Sequence, residues 1–483
     1  MRSRGGPFRL RKPSPALNAK VRKEHGEEQC GGWGYEDEIF DALDDGDRPG
    51  GQSMLTTRPC DDIQPEAIQE SFLDRIGIPS VLFWGFIGLL LFMIGDGVEA
   101  GYLSPYLVER GFSQTAVAWV FTTYGFAVAI SGWLSGALSD VWGPRRVVII
   151  GLVLWTGFEV LFLTLGLRSG SLFLLLLTYG LRGLGYPLFA FGFLVWITVA
   201  SPKRRLGSAM GWFWFAFTGG LPTLGSVVAS FFVPRVGPYA TLWISLILVI
   251  LGGGILLLGV REKIGTKRLV PEQEKPLRAL LASIMIAWQR PKLGIGCLVR
   301  IINTAPEFGF FVFLPAFFTT IIGFSMTEWL RLLSAIFLSN IIWNLLFGLI
   351  GDRFGWRKTV AYCGGFGCTL TTLALYYVPI LHHSLGMSVL VGVLYGATLA
   401  GYVPLSALMP SLAPDHKGAA LSLLSLGAGM SVWVGPAIVA LLLQPIGVVG
   451  IMWVFAAMYL ISGCLALTLT LPEEERVIQR VEV

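Results

Sequence analysis

Long apolar runs alternate with short polar connections from residue 79 to residue 471. An α-helix rises about 1.5 Å per residue, so about 20 apolar residues span a hydrocarbon core roughly 30 Å thick. Only helices and closed barrels satisfy their backbone hydrogen bonds in lipid. The pattern therefore predicts an all-α membrane protein with twelve transmembrane helices. The predicted spans are 79–103, 113–138, 147–167, 171–199, 207–233, 239–260, 293–322, 326–350, 359–380, 385–412, 418–443 and 447–471.

The composition excludes an ordinary soluble enzyme. Of 483 residues, 54% are hydrophobic and 14% are charged, whereas soluble domains contain about 25% charged residues. Four of the six cysteines lie in apolar runs, and no pair has CxxC spacing. We interpret these cysteines as small buried hydrophobic residues, and we expect neither a metal site nor a cofactor.

The charges are unevenly divided along the chain. Residues 1–75 carry 11 basic and 15 acidic residues with little apolar pattern, which predicts a disordered tail. The other 408 residues carry 25 basic and 16 acidic residues, a net charge of +9. Their basic residues concentrate in the connections that follow spans 2, 4, 6 and 8. By the positive-inside rule, both termini and the connection 261–292 are cytoplasmic and the protein lies in the cell membrane. Residues 277–288 fit a surface helix and a solvated linker equally well.

An internal repeat divides the spans into two halves. The sequence around Asp140 recurs around Asp352, displaced by 212 residues, and Gly207-Ser-Ala recurs as Gly418-Ala-Ala, displaced by 211. A common displacement at two sites indicates a duplicated six-span unit, as in transporters with parallel repeats. We therefore predict two six-helix halves, 76–260 and 293–471, joined by a linker at 261–292 and followed by a tail at 472–483.

The repeated loop resembles the signature loop of the major facilitator superfamily. Its pattern is Gly-xxx-Asp-xx-Gly-x-basic-basic, after spans 2 and 8. The residues are Gly136, Asp140, Gly143, Arg145 and Arg146 in the first half and Gly348, Asp352, Gly355, Arg357 and Lys358 in the second. The glycines permit a tight turn after a helix. The resemblance implies the major facilitator fold and a cytoplasmic gate that these residues hold shut in one transport conformation.

Further motifs inside the spans resemble the polyol permease group of that superfamily, which includes ribitol and D-arabinitol symporters. They are Gly95-Asp96-Gly97-Val98-Glu99, Tyr179-Gly-Leu-Arg182-Gly183, Tyr186-Pro187, Gly211-Trp-Phe-Trp214, Val299-Arg300-Ile-Ile-Asn303-Thr304 and His416-Lys-Gly-Ala-Ala420. The resemblance covers most of residues 79–471 and implies proton-coupled uptake of sugar alcohols. Glu159 and Glu307 depart from the ribitol type, which leaves the exact substrate open.

Six charged side chains lie well inside predicted spans: Asp96, Glu99, Glu159, Arg182, Arg300 and Glu307. A charge at the bilayer centre costs about 2.5 to 3.5 kcal/mol, so these groups must pair or face water. Asp96 and Glu99 share one face of span 1, and repulsion between two carboxylates favours binding of a proton to one of them. We expect Asp96, Glu99 and Arg182 to couple transport to protons, the alternative being a static salt bridge. We interpret Glu159 as a residue that snorkels to the interface or is protonated rather than functional, because span 3 is often peripheral in this fold.

A second polar stripe lies on span 7, where Arg300, Asn303, Thr304 and Glu307 follow helical spacing. Asn340 and Asn344 form a third stripe on span 8. An amide offers a donor and an acceptor together, which suits a hydroxylated ligand, although these asparagines would serve equally as contacts between helices. Trp343 is a candidate for stacking on the ligand, with packing as its alternative. We predict Arg300, Asn303, Glu307, Asn340, Trp343 and Asn344 as substrate-binding residues.

Several functions share these features. The leading interpretation is a monomeric secondary transporter that moves a small molecule with protons across the lipid bilayer and binds no nucleic acid. A permease for small organic acids such as 2-oxoglutarate is the alternative, because arginines bind carboxylates. A sensor that does not transport fits the same residues. An intramembrane enzyme is disfavoured, because the four histidines lie in the tail and in loops.

Overall fold

The computed structural model describes residue 73 and residues 78–201, 206–262, 264–269, 285–413 and 417–471. The two predicted tails apart from Leu73, the basic residues 203–205 and half of the predicted linker lie outside this part of the chain. Within the linker, residues 285–289 are helical, but residues 277–284 of the proposed surface helix are not described. The regular secondary structure of the described residues is entirely helical.

The N-terminal half contains spans 1 to 6. Several of these spans are interrupted or contain a turn of wider helix. Their bounds are Phe83–Gly97 with Leu103–Glu109 (span 1), Gln114–Trp142 (span 2), Pro144–Leu161 continuing to Ser169 (span 3), Leu172–Arg182 with Gly185–Ala200 (span 4), Leu206–Thr218 continuing to Val236 (span 5) and Pro238–Gly259 (span 6).

The C-terminal half contains the remaining spans. Their bounds are Pro291–Ala316 continuing to Ile321 (span 7), Met326–Phe354 (span 8), Trp356–Thr359 continuing to His382 (span 9), Leu385–Ala400 with Leu405–Leu412 (span 10) and Lys417–Leu467. The last segment has 51 residues, which corresponds to about 75 Å of helix, far more than one membrane crossing needs.

The long last segment is two spans joined at Gly447. This glycine has φ of 66° and ψ of −175°, which interrupts the helix. Ser431, before the break, bonds to Thr304 at 2.6 Å, and Tyr459, after it, donates to the Asn303 carbonyl at 3.0 Å. Both pieces therefore pack against span 7, as a chain reversal at Gly447 requires. We call them spans 11 and 12, and the described residues thus form the twelve predicted spans.

The two repeated loops have the same backbone geometry. Gly143 ends span 2 with φ of 84° and Gly355 ends span 8 with φ of 95°, values that L side chains rarely adopt. The next helix starts directly after each glycine, at Pro144 and at Trp356. The predicted tight turns are confirmed, and they place both loops at the end of the bundle that we call the basic face. The other end is called the opposite face.

Spans 1 and 4 are interrupted next to their charged residues. Span 1 leaves helical geometry between Gly97 and Leu103, beside Glu99, and span 4 breaks after Arg182. Irregular backbone at membrane depth is tolerated where protein covers it. Arg182 also ends its helix segment, where the partial negative charge of the helix dipole favours a cation. The local geometry thus brings the charges of the two spans together inside the N-terminal half.

Candidate functional site

A cluster of four charged side chains lies in the N-terminal half. Arg182 is at its centre and is fully buried. Its Nη1 donates to Glu99 Oε2 at 2.6 Å and to Glu159 Oε2 at 2.8 Å. Its Nη2 donates to Glu99 Oε1 at 2.5 Å and to Asp96 Oδ1 at 3.2 Å. One guanidinium therefore binds three carboxylates from spans 1 and 3, and we call these four residues the charged cluster.

Aromatic side chains surround the charged cluster. Trp155 Nε1 donates to Asp96 Oδ1 at 2.6 Å, and the Tyr179 hydroxyl donates to Glu99 Oε1 at 2.8 Å. The rings of Trp155, Tyr179 and Tyr124 lie 4.6, 5.0 and 5.5 Å from the Arg182 guanidinium carbon. Aromatic faces attract a cation and exclude water at the same time. They stabilise the charge of Arg182 in a site without solvent.

The charged cluster occupies both terminal nitrogens of Arg182. The Arg182 side chain is completely buried, and Asp96, Glu99 and Glu159 are exposed by 4%, 3% and 0%. The Nε of Arg182 is buried without a hydrogen-bond partner. A ligand carboxylate at either terminal nitrogen would compete with the three protein carboxylates already there. Of the two arginines well inside the predicted spans, Arg300 is the more accessible in this conformation.

Span 7 presents the second group of polar side chains. Arg300 and Glu307 are half-buried and, in the part of the chain that the structure describes, make no hydrogen bond or ion pair. Asn303 is nearly buried, and its Oδ1 has no hydrogen-bond partner. Thr304 bonds to Ser431 in span 11. Span 7 therefore offers one unpartnered cation and two groups that accept hydrogen bonds.

The asparagines of span 8 bond to each other and to span 10. Asn340 Nδ2 donates to the Gly396 carbonyl at 3.1 Å, and Asn344 Nδ2 donates to Asn340 Oδ1 at 3.2 Å. Asn340 thus connects two helices, whereas the oxygen of the half-buried Asn344 has no described partner. Trp343 packs on Phe347, with ring centroids 5.4 Å apart. In this conformation, the Asn344 amide oxygen can still accept a hydrogen bond from a ligand.

The basic-face loops bind within their own halves. Arg145 Nη2 donates to the Leu257 carbonyl of span 6 at 2.9 Å, and Arg357 Nη1 donates to the Leu467 carbonyl of span 12 at 3.0 Å. Asp352 accepts from Trp356 Nε1 at 2.8 Å. These bonds hold each loop to its own half.

The halves meet instead at the opposite face. Trp329 Nε1 donates to the Gly101 carbonyl at 2.7 Å, and the Ser104 hydroxyl donates to the Val312 carbonyl. Residues 101–107 of span 1 and 309–318 of span 7 are buried on every side. In span 8, buried positions concentrate between Trp329 and Ser339, with only Phe347 and Gly351 buried nearer the basic face. Among the described residues, contacts between the halves thus seal the bundle at the opposite face.

Sequence comparison identifies the family that this duplicated bundle represents. The model of the Major Facilitator Superfamily matches residues 85–328 and 296–482, two stretches that together cover all twelve spans. The chain belongs to the major facilitator superfamily. The predicted fold of twelve helices in two six-helix halves is the fold of this superfamily, and the expectation of a transporter rather than an enzyme is confirmed.

Relatives within the superfamily carry transporter names. An alpha-ketoglutarate permease of Bacillus subtilis (strain 168) is 45% identical over 404 residues, which are 83% of this chain and 92% of the permease. A D-arabinitol transporter of Klebsiella pneumoniae is 38% identical over 390 residues, 80% of this chain and 92% of the transporter. The crystal structure of a D-xylose-proton symporter has a TM-score of 0.64 and 17% identity, with coverage of 82% of this chain and 97% of that chain. The predicted relation to the polyol permease group is confirmed, and the structural likeness shows the fold.

The structure places Glu159 in contact with Arg182 within the charged cluster, so its side chain does not snorkel to the membrane surface. It also adds residues that the motifs did not reveal. Trp155 lies one helical turn before Glu159, so the sequence places these two side chains on the same face of span 3. The sequence does not indicate that Tyr124 of span 2 lies over Arg182, because this contact depends on how spans 2 and 4 pack.

Proposed function

We propose that this protein moves a sugar alcohol, such as ribitol or D-arabinitol, together with protons across the cell membrane by alternating access. One observation carries the choice of substrate. The polar face of span 7 combines an unpartnered donor, Arg300, with unpartnered acceptors, Glu307 and Asn303 Oδ1. A polyol hydroxyl donates and accepts hydrogen bonds, so it can satisfy both kinds of group. A carboxylate only accepts, and it would leave the acceptors of span 7 without partners.

A small organic acid is the second candidate substrate. The relative at 45% identity is named an alpha-ketoglutarate permease, and Arg300 is a cation without a described ion pair. Arginine binds carboxylates with two parallel hydrogen bonds. This candidate requires Glu307 to be protonated, because an ionised Glu307 would repel the bound acid.

Coupling to protons is assigned to the charged cluster. Asp96 and Glu99 lie on span 1 and Arg182 on span 4, so a change in the protonation of either acid alters the attraction between the two spans. Three carboxylates and one guanidinium carry a net charge of −2 when all are ionised. Because charge buried without a partner is costly, binding and release of a proton have a large effect on this packing.

The orientation of the protein follows from its basic loops. By the positive-inside rule, the basic face is cytoplasmic, as are both termini. The close packing at the opposite face then lies on the extracellular side. Arg145 and Arg357 of the repeated loops each donate to a carbonyl of their own half. The transporter functions as a monomer, because each chain contains both halves.

Uptake into proteoliposomes tests the substrate. We expect a gradient that is acidic outside to drive accumulation of labelled ribitol or D-arabinitol, with no competition from 2-oxoglutarate. Empty liposomes and a protonophore are the controls. Transport of 2-oxoglutarate without any polyol would establish the organic-acid candidate instead. Binding of a polyol without flux would indicate a sensor.

A variant of Arg300 separates the two candidates further. Loss of one hydrogen bond to a neutral hydroxyl costs about 0.5 to 1.5 kcal/mol, so Arg300→Gln should raise the half-saturation concentration for a polyol roughly two- to tenfold. A bound carboxylate would lose about 1.5 to 3 kcal/mol per charged hydrogen bond, roughly tenfold or more. Arg331→Gln is the matched control, because Arg331 is exposed near the start of span 8.

A further inference from the structure

Glu159 is the least compensated carboxylate of the charged cluster. Its side chain has no exposure to solvent. Oε2 accepts one hydrogen bond, from Arg182 Nη1 at 2.8 Å, and that nitrogen also donates to Glu99. Oε1 is buried and has no hydrogen-bond partner. An ionised carboxylate with an unpartnered oxygen in a solvent-free site is strongly disfavoured.

The other two carboxylates are better compensated. Glu99 accepts from both terminal nitrogens of Arg182 and from the Tyr179 hydroxyl, all within 2.8 Å. Asp96 accepts from Trp155 Nε1 at 2.6 Å and from Arg182 Nη2 at 3.2 Å. Hydrogen bonds donated to a carboxylate favour its ionised form. Glu99 therefore accepts the most hydrogen bonds of the three carboxylates and Glu159 the fewest.

Groups on the neighbouring spans do not compensate Glu159. Span 1 contributes Asp96, Glu99 and Tyr102, and span 4 contributes Tyr179 and Arg182. The Tyr102 hydroxyl donates to the Pro238 carbonyl at 3.3 Å and the Tyr179 hydroxyl to Glu99. Arg182 is the one cation that the described residues bring to this site, and it already binds two other acids.

We propose that Glu159 holds the transported proton in the conformation that is sealed at the opposite face. This inference rests on the proposed coupling to protons and names the residue that stores the proton. With Glu159 neutral, the net charge of the charged cluster falls from −2 to −1. When a change of conformation admits water to the charged cluster, the O–H bond of Glu159 breaks, the proton passes to that water and the new carboxylate attracts Arg182. Arg182 then shifts away from Asp96, its most distant partner at 3.2 Å, which loosens the link between spans 1 and 4.

Infrared difference spectroscopy on the purified full chain detects the proton directly. A protonated carboxylic acid has a C=O stretching band that a carboxylate lacks. We expect a band for a buried acid that disappears in Glu159→Gln and persists in Glu109→Gln, whose side chain is exposed. Persistence of the band in Glu159→Gln together with its loss in Asp96→Asn or Glu99→Gln would overturn the assignment. Absence of any such band from the wild-type protein would overturn it as well.

The thermal stability of the same variants provides an independent measurement. Glutamine is a neutral isostere of protonated glutamic acid, so Glu159→Gln should leave the unfolding temperature unchanged. Glu99→Gln removes an ion pair that is hydrogen-bonded on both oxygens, and it should lower the unfolding temperature clearly. An equal decrease in both variants would show that Glu159 is ionised beside Arg182.

Transport assays connect the stored proton to function. In Glu159→Gln we expect accumulation driven by a pH gradient to be lost, whereas exchange of labelled for unlabelled substrate persists because it needs no net proton movement. Glu159→Asp should restore part of the accumulation. Full accumulation by Glu159→Gln would contradict the proposal. If the wild-type protein transports without protons, the proposed coupling fails, while the infrared band still reports whether Glu159 is protonated.

Discussion

Asn344 and Asn340 differ in how much of each amide is available to a ligand. Asn340 bonds through both its nitrogen and its oxygen, whereas Asn344 uses only its nitrogen. We predict that Asn344→Ala raises the half-saturation concentration for a pentitol roughly two- to tenfold, since one lost hydrogen bond costs about 0.5 to 1.5 kcal/mol. The same increase is expected for Asn303→Ala. Initial rates of labelled pentitol uptake over a range of concentrations measure it.

Asn340→Ala is the comparison for this prediction. Removal of Asn340 breaks the bond to Gly396 in span 10, so its main effect should be a lower unfolding temperature. An unchanged half-saturation concentration in both Asn344→Ala and Asn303→Ala would show that these stripes serve as contacts between helices.

A second prediction at the residue scale concerns the role of Asp96 and Glu99 in proton coupling. Neutralisation of either acid, by Asp96→Asn or Glu99→Gln, should abolish pentitol accumulation driven by a pH gradient and leave substrate exchange measurable. The physical reason is that each variant removes a carboxylate that binds Arg182, so the charge of the cluster no longer changes in the same way when the proton binds. Paired uptake and counterflow assays on the same proteoliposomes make the measurement. Intact accumulation in both variants would exclude Asp96 and Glu99 from coupling and leave Glu159 and Glu307 as candidates.

At the scale of elements, spans 7 and 11 approach so closely that no side chain fits between them at the point of contact. A Cβ atom added to Gly435 would lie 1.8 Å from the Ala305 carbonyl oxygen. Gly435→Ala must therefore separate the two helices, and overpacking of this kind costs about 1 to 3 kcal/mol. We predict a lower unfolding temperature in detergent for this variant.

Gly254→Ala is the matched control for that measurement. A Cβ atom at Gly254 of span 6 would meet nothing within 4 Å, and alanine favours helix over glycine by about 0.5 to 1 kcal/mol. Its unfolding temperature should be unchanged or higher. Equal stability of the two variants would argue against close packing between spans 7 and 11.

At the scale of the whole molecule, the orientation can be tested with introduced cysteines. His382 and Phe354 are both exposed, at opposite ends of the C-terminal half. We predict that a membrane-impermeant thiol reagent labels His382→Cys in intact cells and labels Phe354→Cys only in inverted vesicles, because the basic face is cytoplasmic. The parent chain with its own cysteines provides the background. The reverse labelling pattern would place both termini outside the cell.

The sequence by itself determined the architecture. The length of the apolar runs sets the number of spans because the thickness of the bilayer is fixed, and the repeat at Asp140 and Asp352 reveals the duplication. The charges inside the spans could also be found by reading the chain, since charge in an apolar run is rare and costly. The pairing of Arg182 with Asp96 and Glu99 was therefore within reach of sequence analysis.

Only the tertiary structure shows which of these charged residues pair with one another and which do not. Nothing in the local pattern of span 3 shows that Glu159 reaches Arg182, because the contact depends on the packing of spans 3 and 4. The same holds for Arg182, whose terminal nitrogens bind three acids, and for Arg300, which has no described ion pair. Helical spacing determines which residues share a face of a helix. Contacts with helices that are distant in the sequence determine which polar side chains on that face have hydrogen-bond partners and which remain available to a substrate.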